Sequence, residues 1–570
     1  MTSVRPAVWA PIPERVELVT GGRRHRMRRE RDAWWHADVE LASGVDYGFA
    51  LDGGNPLPDP RSPWQPRGVH GPSRTVDHAA FAWTDAGWNA PPLAEAVIYE
   101  LHPGTFSREG TFDGVTRHLD ALVELGVTHL ELMPVAAFSG THGWGYDGVA
   151  LYAPHQPYGG PDGLRRLVDA AHAHGLAVLL DVVYNHLGPE GNHLAGFGPY
   201  FTEKYTTPWG ASVNFDDAGS HEVRRFVVDN ALMWMRDYHM DGLRMDAVQA
   251  IYDMSAIHIG EEIATATREL ETQLGRRLVV TAESDLNDPR LLASVDEGGY
   301  GLDAAWADDV HHALHVALTG EATGYYQDFT GPDALVRALR EPYLYAGDYA
   351  PSRDRLHGRP AGDLSGDRFI VCLQNHDQVG NRAQGDRLAH MVSPGRARIG
   401  AALLLTAPYV PLLFAGEEWA ASAPFPYFSS HQDPELARAV SEGRRTEFAA
   451  FGWDPAAIPD PQDPATVVMA RLDWSERDRE PHAGMLDWYR ELIRLRRSTP
   501  ALLDGDRRAV KIVASVTGRL SVRRGSIAVV ANLGPEPVEV AQTGKPVLAW
   551  PAEVRGGTLP PDGVIILDDR

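Results

Sequence analysis

The stretch Ala177-Val178-Leu179-Leu180-Asp181-Val182-Val183 is an almost continuous apolar run of strand length, with one carboxylate near its end. Such a run is typical of a strand that is buried on both faces of a sheet. From Ala96 onward the same order recurs, in which an apolar strand is followed by a polar loop and an amphipathic helix. Val223, Phe226 and Trp234, for example, recur at helical spacing.

Seven further apolar runs bring the number of predicted strands to eight. The other seven are Val97 to Leu101, His129 to Pro134, Gly242 to Ala247, Leu278 to Glu283, Leu302 to Trp306, Phe369 to Asn375 and Val410 to Gly416. Buried strands that alternate with helices indicate a parallel α/β sheet, and the number eight favours closure into a (β/α)₈ barrel. An open doubly wound sheet is the second choice, because no glycine-rich phosphate loop follows the first strand.

The flanking segments predict a small β domain on each side of the barrel. Short alternating segments separated by glycine turns predict an immunoglobulin-like β-sandwich over residues 1–90. The proline-rich stretch Asn55 to Trp64 is expected not to continue a sheet, because each proline removes a ladder donor. The barrel is assigned to residues 91–499, with long insertions after the third and sixth strands. Short strands after Pro500 predict a second β-sandwich over residues 500–570.

Composition limits the partners. The 53 Lys and Arg residues against 77 Asp and Glu residues give a net charge of −24, which disfavours nucleic acid and anionic membranes. We expect a neutral or cationic substrate. The single cysteine, Cys372, lies in an apolar run and is expected in the core. The first residues show no signal-peptide pattern and no apolar stretch is long enough to span a membrane, so a cytoplasmic location is expected.

Carboxylates follow several of the predicted strands. Asp181 lies at the end of the third strand, Asp246 of the fourth, Glu283 of the fifth and Asp377 of the seventh. Barrel enzymes carry their active sites at this end, and a glycosidase needs one carboxylate to attack the sugar and one acid to protonate the leaving oxygen. Because strand side chains alternate, Arg244 shares a face with Asp246 and is expected to keep it ionised.

Together these strand ends resemble the four signature regions of the α-amylase superfamily. The matching segments are Asp181 to His186, Gly242 to Asp246, Glu283, and Asn375 to Asp377. Each segment alone is more often a turn or a surface pair, whereas four at four strand ends point to a site. The resemblance implies a retaining hydrolase of α-glucans with Asp246 as nucleophile, Glu283 as acid/base and Asp377 as the carboxylate that binds the sugar hydroxyls.

The resemblance also implies residues that bind the substrate. Tyr146 resembles the tyrosine that stacks on the cleaved sugar, although packing in the core is an alternative for it. His186, Arg244 and His376 are expected to form the polar walls of the same subsite, with a hydrogen-bonded histidine of the core as the alternative for His186. After the eighth strand lies a set of aromatic residues for which hydrophobic packing is the alternative, but whose place at the rim favours a sugar platform: Trp419, Phe425, Tyr427 and Phe428.

Within the superfamily, the chain is similar to the maltooligosyltrehalose trehalohydrolases. Phe414 to Trp419, Pro426 to His431, Gly443 to Phe448 and Gln374 to Arg382 carry this similarity. It implies cleavage of the α-1,4 bond next to the terminal trehalose of a maltooligosyltrehalose. The alternatives are a glycogen debranching or branching enzyme and, from a different functional class, an inactive carbohydrate-binding homologue.

A metal site is not expected. Many members of the superfamily bind calcium near the insertion after the third strand, where Asn185, Asp216 and Asp217 offer oxygen ligands. They do not, however, have the spacing of a compact acidic calcium loop. We therefore predict no essential metal and no other cofactor, and the oligomeric state is left open.

Overall fold

The computed structural model describes residues 3–449, 457–515, 517–554 and 557–570. Within these residues eight parallel strands close into a barrel, in chain order around the ring. The barrel strands are Ile98–Leu101, His129–Leu132, Ala177–Val182, Gly242–Met245, Val279–Ala282, Ala304–Trp306, Phe369–Cys372 and Val410–Phe414. The predicted barrel is confirmed and the open sheet is excluded, since the first strand pairs with the eighth.

The strands form because their residues are buried on both faces. Every residue of the first strand is buried, including Glu100, and the same holds for Gly242–Met245 with Arg244. Helices cover the outside of the ring with amphipathic faces. Val223, Phe226 and Trp234 are buried in Ser220–Asp237 as their spacing predicts. Cys372 is buried in the seventh strand.

The longer helices around the barrel and its loops have the following bounds: Leu119–Leu125, Gly160–Ala173, Ser220–Asp237, Ile259–Leu274, Asp308–Thr319, Pro332–Ala338, Pro394–Thr406, Pro434–Ala449 and His482–Ser498. Shorter helices are Pro103–Phe106, Phe112–Thr116, Leu194–Phe197, His376–Gly380, Leu388–Met391, Pro464–Met469 and Pro500–Leu503. None of the helices in the described ranges is long and apolar enough to cross a membrane.

Three hairpins are built from the barrel loops. Ala136–Ala137 pairs with Ala150–Pro154 after the second strand, and Phe201–Thr207 pairs with Gly210–Val213 in the insertion after the third strand. Ala346–Ala350 pairs with Arg355–Gly358 in the insertion after the sixth strand. The two long insertions that the strand spacing predicts therefore contain ordered β structure.

Antiparallel sheets flank the barrel on both sides. The N-terminal strands are Ser3–Val4, Ala7–Trp9, Val16–Thr20, Arg23–Arg26, Arg28–Arg29, Trp34–His36, Leu41–Ala42, Asp46–Leu51, Pro56–Leu57 and Ser73–Arg74. The C-terminal strands are Lys511–Ala514, Arg519–Arg524, Ile527–Asn532, Val538–Val540, Lys545–Trp550, Gly557–Leu559 and Val564–Asp568. The domain boundaries at residues 90 and 499 stay predictions.

The proline-rich stretch departs from its prediction. Pro56–Leu57 forms a two-residue strand against Phe49 and Ala50, and Ser73–Arg74 pairs with the same long strand, Asp46–Leu51. The expectation that this stretch does not continue the sheet is therefore wrong for these residues. Proline is tolerated there because an edge strand does not need every N–H as a ladder donor.

Candidate active site

A cavity of about 490 Å³ opens among the loops that follow the carboxyl ends of the barrel strands. The three predicted catalytic carboxylates line it, together with Tyr146, His186, His376 and Tyr427 of the predicted binding residues. The full lining is Trp144, Tyr146, Asp147, His186, Trp209, Asp246, Ala247, Gln249, Glu283, His376, Asp377, Asn381, Tyr427, Val440 and Arg444. The structure thus places residues from distant parts of the sequence around one cavity.

Asp246 and Glu283 lie on adjacent strands at the same height. Met245 and Ala282 are register partners, and each carboxylate follows its partner residue directly. Neighbouring strands are about 4.8 Å apart, and retaining glycosidases hold their two carboxyl groups about 5 to 5.5 Å apart. This placement fits the retaining geometry.

Arg244 links three of the carboxylates. Its side chain is buried, and its Nη1 donates to Asp246 Oδ1 at 2.7 Å and to Asp181 Oδ2 at 2.8 Å. Its Nη2 lies 3.7 Å from Glu283 Oε2, and the guanidinium carbon lies 4.3 Å from the centroid of the Trp306 ring. A buried guanidinium in this position fixes the carboxylates and compensates their charge.

The two proposed catalytic carboxyl groups have different surroundings. Asp246 accepts a second hydrogen bond at Oδ2 from Asn185 Nδ2 at 2.8 Å, so both of its oxygens are held as acceptors. Glu283 accepts one from the backbone N–H of Ala247 at 2.6 Å. Burial, opposed by the Arg244 charge, raises the pKa of Glu283 to about 8, so this group is protonated at neutral pH. Glu283 is therefore set up as an acid, whereas both oxygens of Asp246 are held as hydrogen-bond acceptors.

Asp377 comes from the short helix His376–Gly380. The Asn375 side chain caps this helix by accepting from the N–H of Gln378 at 2.8 Å. Asn381 Nδ2 donates to Asp377 Oδ1 at 2.9 Å. Asp377 is exposed to the cavity, so it has free acceptor positions for sugar hydroxyl groups.

Tyr146 reaches the cavity because of the residue before it. Gly145 has φ 104°, and a Cβ there would lie 2.1 Å from the carbonyl oxygen of Pro134, so only glycine fits this turn. The Tyr146 hydroxyl donates to Asp181 Oδ2 at 2.6 Å. His186 Nε2 donates to the carbonyl oxygen of Tyr146 at 3.0 Å, which joins these two predicted residues in one wall.

The predicted aromatic platform needs correction. Trp419, Phe425 and Phe428 are at most 1% exposed and do not line the cavity. Trp419 packs against Trp474, and Phe425 lies beneath Trp144 with ring centroids 5.4 Å apart. These three residues form the hydrophobic support of the loops, since aromatic rings of this size stabilise most when fully buried. Of the four predicted aromatic residues, Tyr427 lines the cavity.

Several residues that line the cavity were not predicted from the sequence. Trp209, on the hairpin after the third strand, is 51% exposed and stacks on His186 with centroids 4.5 Å apart. Arg444 lies over Tyr427, at 5.3 Å from the ring centroid, and its Nη2 donates to the carbonyl oxygen of Gly380. Gln249 also lines the cavity, and its buried Oε1 has no hydrogen-bond partner within the described part of the chain. An isolated tryptophan in a polar insertion was the one available signal for Trp209.

The described residues contain no group of three or more His, Cys, Asp or Glu side chains that could hold a metal ion. The residues considered for calcium have protein partners. Asn185 donates to Asp246, Asp216 accepts from Lys204 and Tyr205, and Asp217 accepts from Thr202. Asn185 thus holds the nucleophile candidate through its amide nitrogen, and one oxygen each of Asp216 and Asp217 holds the insertion.

Comparison with known proteins relates this geometry to characterised families. Residues 79–204 match the family model described as alpha amylase, catalytic domain. The malto-oligosyltrehalose trehalohydrolase of Arthrobacter ramosus is 51% identical over 96% of this chain and 96% of its own length. That of Rhizobium sp. is 48% identical over 95% of this chain and 93% of its own. The crystal structure of a protein assigned as an alpha amylase from Salmonella typhimurium superposes with a TM-score of 0.92 at 39% identity, covering 100% of this chain and 98% of that one.

Proposed function

The chain belongs to the malto-oligosyltrehalose trehalohydrolase family, and from this membership we infer that it is a retaining glycoside hydrolase. It cleaves the α-1,4-glucosidic bond next to the terminal trehalose of a maltooligosyltrehalose and releases trehalose. The observation that carries this conclusion is the likeness to the trehalohydrolase of Arthrobacter ramosus, which extends over 96% of both chains at 51% identity. Such coverage includes the barrel, its insertions and both flanking β regions.

We propose Asp246 as the nucleophile. Hydrogen bonds from Arg244 and Asn185 hold its two oxygens and fix the direction of the carboxylate. The carboxylate attacks the anomeric carbon of the sugar at the cleaved bond, and the bond from this carbon to the leaving oxygen breaks. The product of this step is a covalent glycosyl-enzyme and a trehalose that has received a proton.

We propose Glu283 as the acid and then the base. In the first step it gives its proton to the leaving oxygen, which burial and the resulting raised pKa of about 8 make possible at neutral pH. In the second step the ionised Glu283 takes a proton from water, whose oxygen attacks the anomeric carbon and releases Asp246. Asp377, exposed in the cavity, is proposed to accept hydrogen bonds from the sugar hydroxyls.

The cavity also supports the distinction from the alternative functions. An inactive binding homologue would not need the hydrogen bond from Arg244 to Asp246 or the 3.7 Å ion pair of Arg244 with Glu283. Branching enzymes form α-1,6 bonds by transfer and debranching enzymes cleave them, in both cases with corresponding carboxylates, so the separation from them depends on the leaving-group side of the cavity. We propose that Tyr427, Trp209 and Arg444 contribute to this selectivity, because each presents an aromatic ring or donor groups to the cavity.

Retention of configuration tests the proposed roles. We expect the newly formed reducing end to appear first as the α-anomer, because two displacements on the same carbon restore its configuration. Proton NMR during the first minutes of turnover, before mutarotation, measures the ratio of α- to β-anomer in the product. Initial β-anomer would mean that water attacks directly and that Asp246 acts as a base.

A further inference from the structure

Behind the cavity lies a charged residue that the mechanism above does not use. Glu100 belongs to the first barrel strand, Ile98–Leu101, and is 1% exposed. One of its oxygens, Oε2, accepts from the backbone N–H of His376 at 2.9 Å, and the other, Oε1, accepts from His376 Nδ1 at 2.5 Å. The carboxylate thus holds both the main chain and the ring of the residue that precedes Asp377.

The hydrogen bonds continue from His376 into the cavity. His376 Nε2 lies 2.7 Å from the Tyr146 hydroxyl oxygen, and this hydroxyl donates its single proton to Asp181 Oδ2 at 2.6 Å. Asp181 in turn accepts from Arg244 Nη1 at both of its oxygens. Arg244 donates to Asp246, so a continuous chain of polar contacts links Glu100 with the proposed nucleophile.

The hydrogen-bond partners of His376 indicate which of its ring nitrogens carry a proton. Because the Tyr146 proton is given to Asp181, the contact between Tyr146 and His376 needs a proton on Nε2. The contact with Glu100 needs a second proton on Nδ1. His376 is therefore an imidazolium. In agreement, Glu100, against the opposing effect of burial, raises the pKa of His376 to about 9.

We propose that Glu100 is a positioning residue for the hydrolysis. Glu100 keeps His376 doubly protonated and in one orientation. His376 in turn holds Tyr146, Asp181 and the start of the Asp377 helix in their active arrangement. The inference rests on the proposed function, because it concerns the same cavity. Glu100 does not line the cavity, so its effect is transmitted through His376.

A neighbouring carboxyl group offers a matched control. Glu131, on the second barrel strand, is the register partner of Glu100 and is also 1% exposed. Its Oε2 has no hydrogen-bond partner among the described residues, and burial raises its pKa well above the usual range, so it is a neutral acid. Glu131→Gln therefore replaces one neutral group by another of the same shape and should change kcat by less than about threefold.

Glu100→Gln keeps the volume but removes the charge that holds the imidazolium. We expect kcat to fall about 10- to 100-fold at pH 7.5. This is the size of effect expected when side chains of an active site are displaced by up to about one ångström. KM should change less, because the substrate-contacting side chains remain. Thermal unfolding of Glu100→Gln and Glu131→Gln, compared with the parent, checks that both variants fold.

The pH dependence separates this role from a merely structural one. Without Glu100, His376 gives up its second proton at a lower pH than in the parent. The loss in kcat should therefore be small near pH 5.5, where the imidazole is still protonated, and should grow as the pH rises toward 8. The charged and titratable groups around His376 on the adjoining elements are Glu131, Asp181, Arg244, Tyr146, His102 and Asp377.

Three outcomes are distinguished by the experiment. If Glu100→Gln loses activity in the pH-dependent way while Glu131→Gln does not, the proposal is supported. Equal activities of the parent and both variants, or a loss independent of pH, would overturn it while the proposed function stands. A parent protein that does not act on maltooligosyltrehalose would instead refute the proposed function. NMR titration of the His376 ring in the parent gives a test that needs no variant: a pKa below 7 would overturn the proposal.

Discussion

Asp246→Asn should lower kcat on maltooligosyltrehalose by on the order of 10⁴- to 10⁶-fold, the effect seen when a covalent nucleophile is removed. The amide has nearly the volume of the carboxylate and can keep the contact with Asn185, but it does not form the glycosyl-enzyme. Each factor of ten corresponds to about 1.4 kcal/mol of barrier, so this one group should lower the barrier by about 5 to 8 kcal/mol.

The measurement is single-turnover release of trehalose with enzyme in excess, followed by chromatography. Asp120→Asn is the matched control, because the side chain of Asp120 is 88% exposed on the outer helix Leu119–Leu125 and the chemical change is identical. The control should retain full activity. Activity of Asp246→Asn within tenfold of the parent would remove Asp246 from the role of nucleophile.

Glu283→Gln should lower kcat by about 10²- to 10⁴-fold on the natural substrate, the usual contribution of general acid–base catalysis. On an α-maltosyl fluoride, kcat/KM should fall much less, because fluoride leaves without a proton and kcat/KM reports the glycosylation step. This difference between the two substrates assigns the acid role to Glu283 specifically. An equal loss of activity on both substrates would indicate that Glu283 has another role. Glu124→Gln, at a side chain that is 67% exposed, is the control.

The same residue sets one limb of the pH profile. The pKa of Glu283 is raised to about 8, chiefly by burial. The acid is present below this pH and lost above it, so kcat/KM of the parent should fall as the pH rises through about 8. With Glu283→Gln this limb should disappear, since glutamine does not titrate. Persistence of the limb would assign it to another group.

The fold could be predicted because its determinants are local. Eight apolar runs mark the barrel strands, and Asp246 and Glu283 directly follow two of them. A residue at the end of a barrel strand lies at the catalytic rim whatever the loops do, so the carboxylates could be placed from strand order alone.

The loop residues could not be placed in this way. Trp419, Phe425 and Phe428 follow the eighth strand as Tyr427 does, yet they are buried and Tyr427 lines the cavity. Which ring is buried in the core depends on contacts with Trp144 and Trp474, which come from distant segments of the chain.

The sequence contains a signal for Glu100 that the prediction of the strands did not use. It is the one charged residue in the strand Ile98–Leu101, whose residues are all buried. A carboxylate in a fully buried strand needs a partner, because an unpaired buried charge is strongly destabilising. The sequence does not show that this partner is His376, which is 276 residues away in the chain.

Product analysis decides whether the protein releases trehalose. The purified protein is incubated in parallel with maltopentaosyltrehalose, with maltopentaose and with glycogen, and the released sugars are separated by chromatography. We expect trehalose and maltopentaose from the first substrate and much slower reaction of the other two, because cavity groups matched to trehalose hydroxyls would be left unpaired by a linear maltosyl unit. Cleavage of maltopentaose at an equal or higher rate, or release of linear chains from glycogen branches, would contradict the assignment to trehalose release.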